Sequence, residues 1–148
     1  MKSFAIVLPI FFTIAGPAFG ALGATEESVS TDQARFQATR TVATEHGSYK
    51  LHEMSRGDGS VIREYLNSAG TVFAVSWKGP VLPDLSQLLG TQFAAFRKGV
   101  EAGAKRRRMS VVHEGDLVVE SSGHARGFYG RAYLSSMLPA GFTEEMVQ

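Results

Sequence analysis

Four histidines, His46, His52, His113 and His124, are the first residues to weigh for chemistry. A zinc or copper site needs three or four converging ligands. No two of these histidines stand four apart, as on one helix face, or two apart, as on one strand face. His52 and His113 fall in different expected strands and meet only if those strands pair. The pattern calls for no metal, and isolated histidines are the simpler account. The carboxylates Glu53, Glu64, Glu114, Asp116 and Glu120 are material for the acid and base of glycoside hydrolysis, yet their spacing singles out no pair. Glu53 and Glu64 lie on neighbouring expected strands among basic residues, where cross-strand salt bridging is the default. A serine nucleophile would need a histidine and a carboxylate beside it. There is no Gly-x-Ser-x-Gly elbow, and Ser76 sits in an apolar run where its hydroxyl serves a neighbouring backbone group. The absence of cysteine removes disulfides, thiolate metal sites and thiol chemistry. The glycines fall singly at turns, without a phosphate loop or dinucleotide fingerprint, so no cofactor is called for.

Other residues point to binding. Trp77, the only tryptophan, ends an apolar run beside Lys78. A tryptophan with a basic neighbour at a strand end can stack on a sugar or a peptide; the competing account is a core tryptophan covered by a helix. Tyr129 and Tyr133 share one face of a regular strand and either form an aromatic patch or line the sheet. With Trp77 and Lys78 they are the candidate partner-binding residues. Lys105-Arg106-Arg107-Arg108 is the densest charge. It suits an acidic partner, but cations at a helix C-terminus are also favoured by the dipole, by about 0.3–1 kcal/mol each. Arg56-Gly57-Asp58 reads as turn chemistry before it reads as an adhesion tripeptide.

The elements that must carry these residues can be read from periodicity. Tyr49–Met54, Val61–Leu66 and Thr71–Lys78 read as strands separated by Arg56–Gly59 and Asn67–Gly70 turns. Short links demand antiparallel pairing. The run Val72–Trp77 is nearly all apolar and is expected at the centre of the sheet, buried on both faces. After Gly79-Pro80, Asp84 caps a helix whose Leu85, Leu88, Leu89, Phe93, Phe96 and Val100 keep helical phase across Gly90. Met109–Glu114, Asp116–Ser121 and Gly127–Leu134 read as further strands, turned at Gly115 and at Ser122-Gly123. The expected fold is α+β. An antiparallel sheet of about six strands, ordered β-β-β-α-β-β-β along the chain, packs against one long amphipathic helix. Pro139–Gln148 is expected as loop or a loose final turn.

The N-terminus reads as an export signal. Met1-Lys2 is followed by an uncharged run from Phe4 to Gly16 and by small residues at Ala18 and Gly20. A spanning helix needs about 20 apolar residues; this run is shorter and is broken by Pro9 and Pro17, so no membrane anchor is expected in the mature chain. Cleavage between Gly20 and Ala21 would leave 128 of 148 residues, with 14 basic and 14 acidic side chains. That balance gives no pointer to nucleic acid. The organisation is a signal over 1–20, a polar, partly flexible segment over 21–47, and one domain over 48–148. Within the polar segment a short helix is expected over Val29–Ala38, with Ser30 and Gln33 as its capping box.

Ala21-Leu22-Gly23, Arg63-Glu64-Tyr65, the run Gly70–Trp77, Gly79-Pro80, Pro83-Asp84-Leu85 and Leu88-Leu89-Gly90 together carry a family likeness. On these residues the chain resembles the proteobacterial exported proteins grouped as domain of unknown function 2844. The likeness is densest from Val61 to Phe96 and weaker after Lys98. It implies an exported protein of a Gram-negative bacterium and brings no catalytic residue with it. The leading expectation is a periplasmic or secreted, non-catalytic module that binds an envelope protein, peptide or glycan. The alternatives are a small hydrolase or metal-dependent enzyme using the strand histidines and carboxylates, and a structural envelope component that self-associates through a sheet edge. Oligomeric state is left open.

Overall fold

A computed structural model describes residues 22–103, 109–125 and 127–148. The expected export signal with its cleavage point at Gly20 and Ala21, and the basic run Lys105–Arg108, lie outside the described residues. The protein is α+β, built on one antiparallel sheet of seven strands in the order β1-β2-β3-β4-β7-β6-β5. The strands are β1 (Arg40–Glu45), β2 (Tyr49–Ser55), β3 (Val61–Asn67), β4 (Val72–Gly79), β5 (Met109–Glu114), β6 (Leu117–His124) and β7 (Gly127–Leu134). The helices are α1 (Glu27–Phe36), α2 (Leu85–Leu89) and α3 (Phe93–Gly103). Among the described residues no helix is long and apolar enough to cross a membrane.

The strand count corrects the expectation of six. The additional strand, β1, reads Arg-Thr-Val-Ala-Thr-Glu. It pairs along its whole length with β2 but lies at an edge and is largely exposed. An edge strand needs few large apolar groups, so it left no hydrophobic signature in a Thr-rich segment. β4 takes the central position, with Val72 through Trp77 all buried, as the apolar run predicts. The turns are built by local chemistry. The Asn67 Oδ1 accepts from the backbone N–H of Ala69 and Thr71, and Gly70 takes φ 74°. The turn expected at Ser122-Gly123 lies further on, after His124. Gly123 serves packing: a Cβ there would fall 2.5 Å from the Phe128 ring.

The expected long helix is interrupted. The Asp84 Oδ1 caps α2, accepting from the backbone N–H of Ser86 and Gln87. Gly90, at φ 51°, then starts a 3-10 turn over Gly90–Gln92 before α3 begins. Leu88 and Leu89 are buried, Phe93 and Phe96 pack partly against the core, and Val100 is 38% exposed. No residue of α3 is fully buried, so the apolar stripe does not make a clearly amphipathic helix. α3 approaches β5 through Gly99, where a Cβ would lie 2.3 Å from Val112 Cγ1. Backbone proximity takes the place of large interlocking side chains there. α1 starts two residues before the expected Val29. Its N-terminal flank is Glu26 with no side-chain cap, and Ser30 Oγ donates instead to the Glu27 carbonyl.

Each face of the sheet carries a core. The helical face buries Val29, Met54, Ile62, Val75, Trp77 and Leu89 among others. The opposite face buries Tyr65, Phe73, Tyr133, Phe142 and Val147. The last two belong to the tail, which is docked rather than loose. The Phe142 ring meets those of Tyr49 and Phe73 edge-on, each with centroids 4.9 Å apart. At the end of the tail, the Gln148 carbonyl accepts from Ser76 Oγ (2.6 Å), Arg63 Nη1 (2.8 Å) and the Tyr65 hydroxyl (3.1 Å).

Candidate functional site

The end of β4 divides the residues expected to bind a partner. Successive strand residues point to opposite faces, so Trp77 goes to the helical face and Lys78 to the tail face. Trp77 is 3% exposed and packs in the helical-face core. Its ring lies over Gly130, its register partner on β7, and its Nε1 has no hydrogen-bond partner among the described residues. Lys78 is exposed and stands opposite Tyr129 in the β4–β7 register. Tyr129 is 54% exposed. Tyr133 shares its face but is buried, and its hydroxyl donates to Glu144 Oε2 at 2.6 Å. Burial and that hydrogen bond push the Tyr133 phenol up to about 12. The register therefore brings Lys78 and Tyr129 together, whereas the Trp77 and Tyr133 side chains are packed in the two cores, Trp77 bordering the same cleft as Lys78 and Tyr129.

Lys78 and Tyr129 border a cleft of about 290 Å³ on the tail face. Arg63, Glu120, Ser122, Arg131 and the end of the tail complete it. Two ion pairs hold its charged walls. Arg63 Nε donates to Glu53 Oε2 at 2.7 Å across β2–β3. Arg131 grips Glu120 with two bonds, Nε to Oε2 at 2.9 Å and Nη2 to Oε1 at 3.1 Å, across β6–β7. Such a fork fixes orientation as well as charge. The Arg131 Nη1 also donates to the Glu144 carbonyl, which ties the tail to the cleft wall. Lys78 has no ion pair among the described residues. The sequence named Glu120 only as possible acid–base material and did not single out Arg63 or Arg131 as binding residues. Their signal is a polar residue on the face of a strand whose other face is apolar, and it becomes a site only once the register is known.

On the helical face, a cavity of about 190 Å³ lies between α1, the ends of β3 and β4, and the loop through Val81 and Leu82. Phe36, Ile62, Trp77 and Leu82 line it, with Asp32 of α1 in the wall. Asp32 is buried against Glu64 of β3, which is fully buried. This corrects the expectation that Glu64 salt-bridges across strands. Its cross-strand neighbour His52 contacts Glu26 instead, at 3.1 Å. Burial, reinforced by the neighbouring Asp32 charge, pushes the Glu64 carboxyl up to about 8. Burial also raises Asp32, against the opposing effect of a 3.2 Å hydrogen bond from Gln87 Nε2. Two carboxyls this close cannot both ionise at low cost, so Glu64 keeps its proton to higher pH than a free carboxyl does.

The remaining candidates are occupied locally. His46 stacks on Tyr49 with centroids 4.8 Å apart. Among the described residues no three His, Asp or Glu side chains are placed to hold a metal ion. Glu114 pairs with Lys98, and Asp116 accepts from the Ser135 and Ser136 hydroxyls. Asp58 accepts from the Ser60 backbone N–H and pairs with Arg56, which brings its carboxyl down to about 2. The Arg-Gly-Asp turn is thereby committed to its own hairpin.

No curated protein and no solved structure matches the chain. A family model, described as a protein of unknown function, matches residues 18–147 and so nearly the whole described fold. The chain belongs to that family, the protein of unknown function DUF2844.

Proposed function

We propose that this protein is an exported, non-catalytic binding module of the Gram-negative envelope, and that the tail-face cleft is its recognition site. The observation that carries the reading is the exposed Tyr129 opposite Lys78 in the β4–β7 register, Lys78 having no ion pair among the described residues, at the mouth of a cleft whose walls are fixed by ion pairs. An exposed aromatic costs solvation and contributes nothing to this core, whereas it supplies a rigid contact surface for a partner. At about 290 Å³ the cleft lies at the lower end of the about 300–1,000 Å³ range of ligand sites. That size suits one group of a larger molecule. Export is supported by the charged start and the uncharged run of the first twenty residues. The hydrolase alternative draws no support from the strand carboxylates: Glu53, Glu114 and Glu120 are ion-paired and Glu64 is sealed from solvent.

The test is a pulldown from envelope extract with cross-linking and mass spectrometry, using the protein and its Tyr129→Ala variant. The expected result is a reproducible protein or glycan partner that the variant loses while its melting curve is unchanged. A partner retained in full by the variant would refute the cleft as the site.

A further inference from the structure

Resting on that reading, we infer that the cleft recognises a carboxylated sugar within an acidic glycan, with Tyr129 as the stacking platform and Lys78 as the carboxylate's partner. Three observations on its walls select this class. The first is the charge inventory. The cleft is lined by Arg63, Arg131 and Lys78 against Glu120. Glu53 neutralises Arg63 from the neighbouring strand, and Glu120 neutralises Arg131. Lys78 is exposed and without an ion pair among the described residues. A cation so placed gives a carboxylate a point-charge contact without demanding fork geometry.

The second observation is the topology. β4 and β7 are interior strands hydrogen-bonded to each other. An extended peptide binding by strand addition needs a free sheet edge for its main chain, and this cleft lies on a face. Recognition must run through side chains. The third is the composition of the walls: an exposed ring at Tyr129 and the charged groups already named. A sugar ring offers an apolar face for stacking and hydroxyls at its edge, so it uses both kinds of wall.

The test is titration calorimetry of the purified protein with polygalacturonate fragments and with dextran fragments of equal length. Saturable binding to polygalacturonate is expected, with little to dextran. Lys78→Gln should weaken it about tenfold, the usual effect of losing a charge-assisted bond, and Tyr129→Ala by several-fold. Lys98→Gln makes the same charge change on α3, outside the cleft, and should leave binding unaltered. Both cleft residues are exposed, so the variants should melt like the parent. Equal affinity for dextran would overturn the acidic class. Equal losses from Lys98→Gln and Lys78→Gln would overturn the site, since they would show general charge attraction. Binding to neither polymer, with a Tyr129-dependent protein captured from envelope extract, would overturn the sugar and leave the binding module standing. Binding to neither polymer and no Tyr129-dependent partner would end both.

Discussion

Replacing Glu64 by glutamine should stabilise this protein at neutral pH, although it removes a charged group from the heart of the fold. Glu64 is fully buried against Asp32, and its carboxyl is pushed from an ordinary 4.5 up to about 8. In the unfolded chain the same group ionises near its ordinary value. Between those two pH values the folded state holds a proton that the unfolded state has lost. Stability therefore falls as pH rises through that window, by up to about 1.4 kcal/mol per pH unit. Below the window both states are protonated and the cost vanishes. Above it both are ionised and the full cost is present. At pH 7 the proton held on Glu64 costs roughly 3 kcal/mol. Glutamine is a neutral isostere and carries no such cost.

The assay is urea unfolding of the parent and of Glu64→Gln from pH 4 to pH 9, extrapolated to water. The informative quantity is the difference between the two curves, because groups common to both cancel. That difference should be small at pH 4, grow through pH 5–8 and level off above, with the variant more stable by about 2–3 kcal/mol at pH 7. A flat difference, or one that shrinks as pH rises, would refute a Glu64 carboxyl raised by burial. Asp58, Asp84 and Asp116 are lowered by hydrogen bonds from the chain. Their contribution is present above their unfolded values and is lost as pH falls through their folded ones. They therefore act on the acid side of the Glu64 window and appear in both curves.

Two further predictions address packing. Gly130→Ala would place a Cβ 2.3 Å from Trp77 Cζ2 and 2.5 Å from the Glu120 carbonyl oxygen; the ring must move and the backbone cannot. A loss of about 2–3 kcal/mol with a red-shifted tryptophan emission is expected, and an unchanged denaturation midpoint and spectrum would contradict the packing. Phe142→Ala removes the ring that meets Tyr49, Tyr65 and Phe73 and should cost about 3–5 kcal/mol. In calorimetric melting, a cost below about 1 kcal/mol would mean that the tail is an accessory rather than part of the core.

The sequence made some of this legible because certain residues admit few alternatives. The nearly all-apolar run from Val72 to Trp77, broken only by Ser76, fits a strand buried on both faces, and β4 is central. Asp84 followed by Ser86 and Gln87 fits a helix start, and the cap is there. The edge strand β1 was hidden because Thr and Val in a polar setting carry weak strand preference and no burial pattern. The tail was hidden because Phe142 and Val147 are isolated apolar residues whose burial depends on a face assembled by distant strands. Periodicity reports local faces and says nothing of such long-range docking. The acid pair was hidden for the same reason: Asp32 meets Glu64 only because α1 lies across β3, and neither residue has a neighbour in sequence that announces it. Lys78 and Tyr129 could be named from their types. Their adjacency is a property of the β4–β7 register, and that pairing crosses the whole helical excursion.

The two faces of β4 use charge in opposite ways. On the helical face, Asp32 and Glu64 are enclosed where apolar residues of similar volume would be cheaper, and a protonated Glu64 is the less costly state there. On the tail face, the Arg63–Glu53 and Arg131–Glu120 pairs remain partly in solvent, where such pairs add little stability. Their effect there is positional. Each ties neighbouring strands on one side of β4, and the guanidinium of each also holds a carbonyl of the tail, at Gln148 and at Glu144. Lys78 and Tyr129 thus project between two braced walls. A surface needed only for solubility would not require that bracing, and a cleft that must present one cation and one ring at fixed separation would.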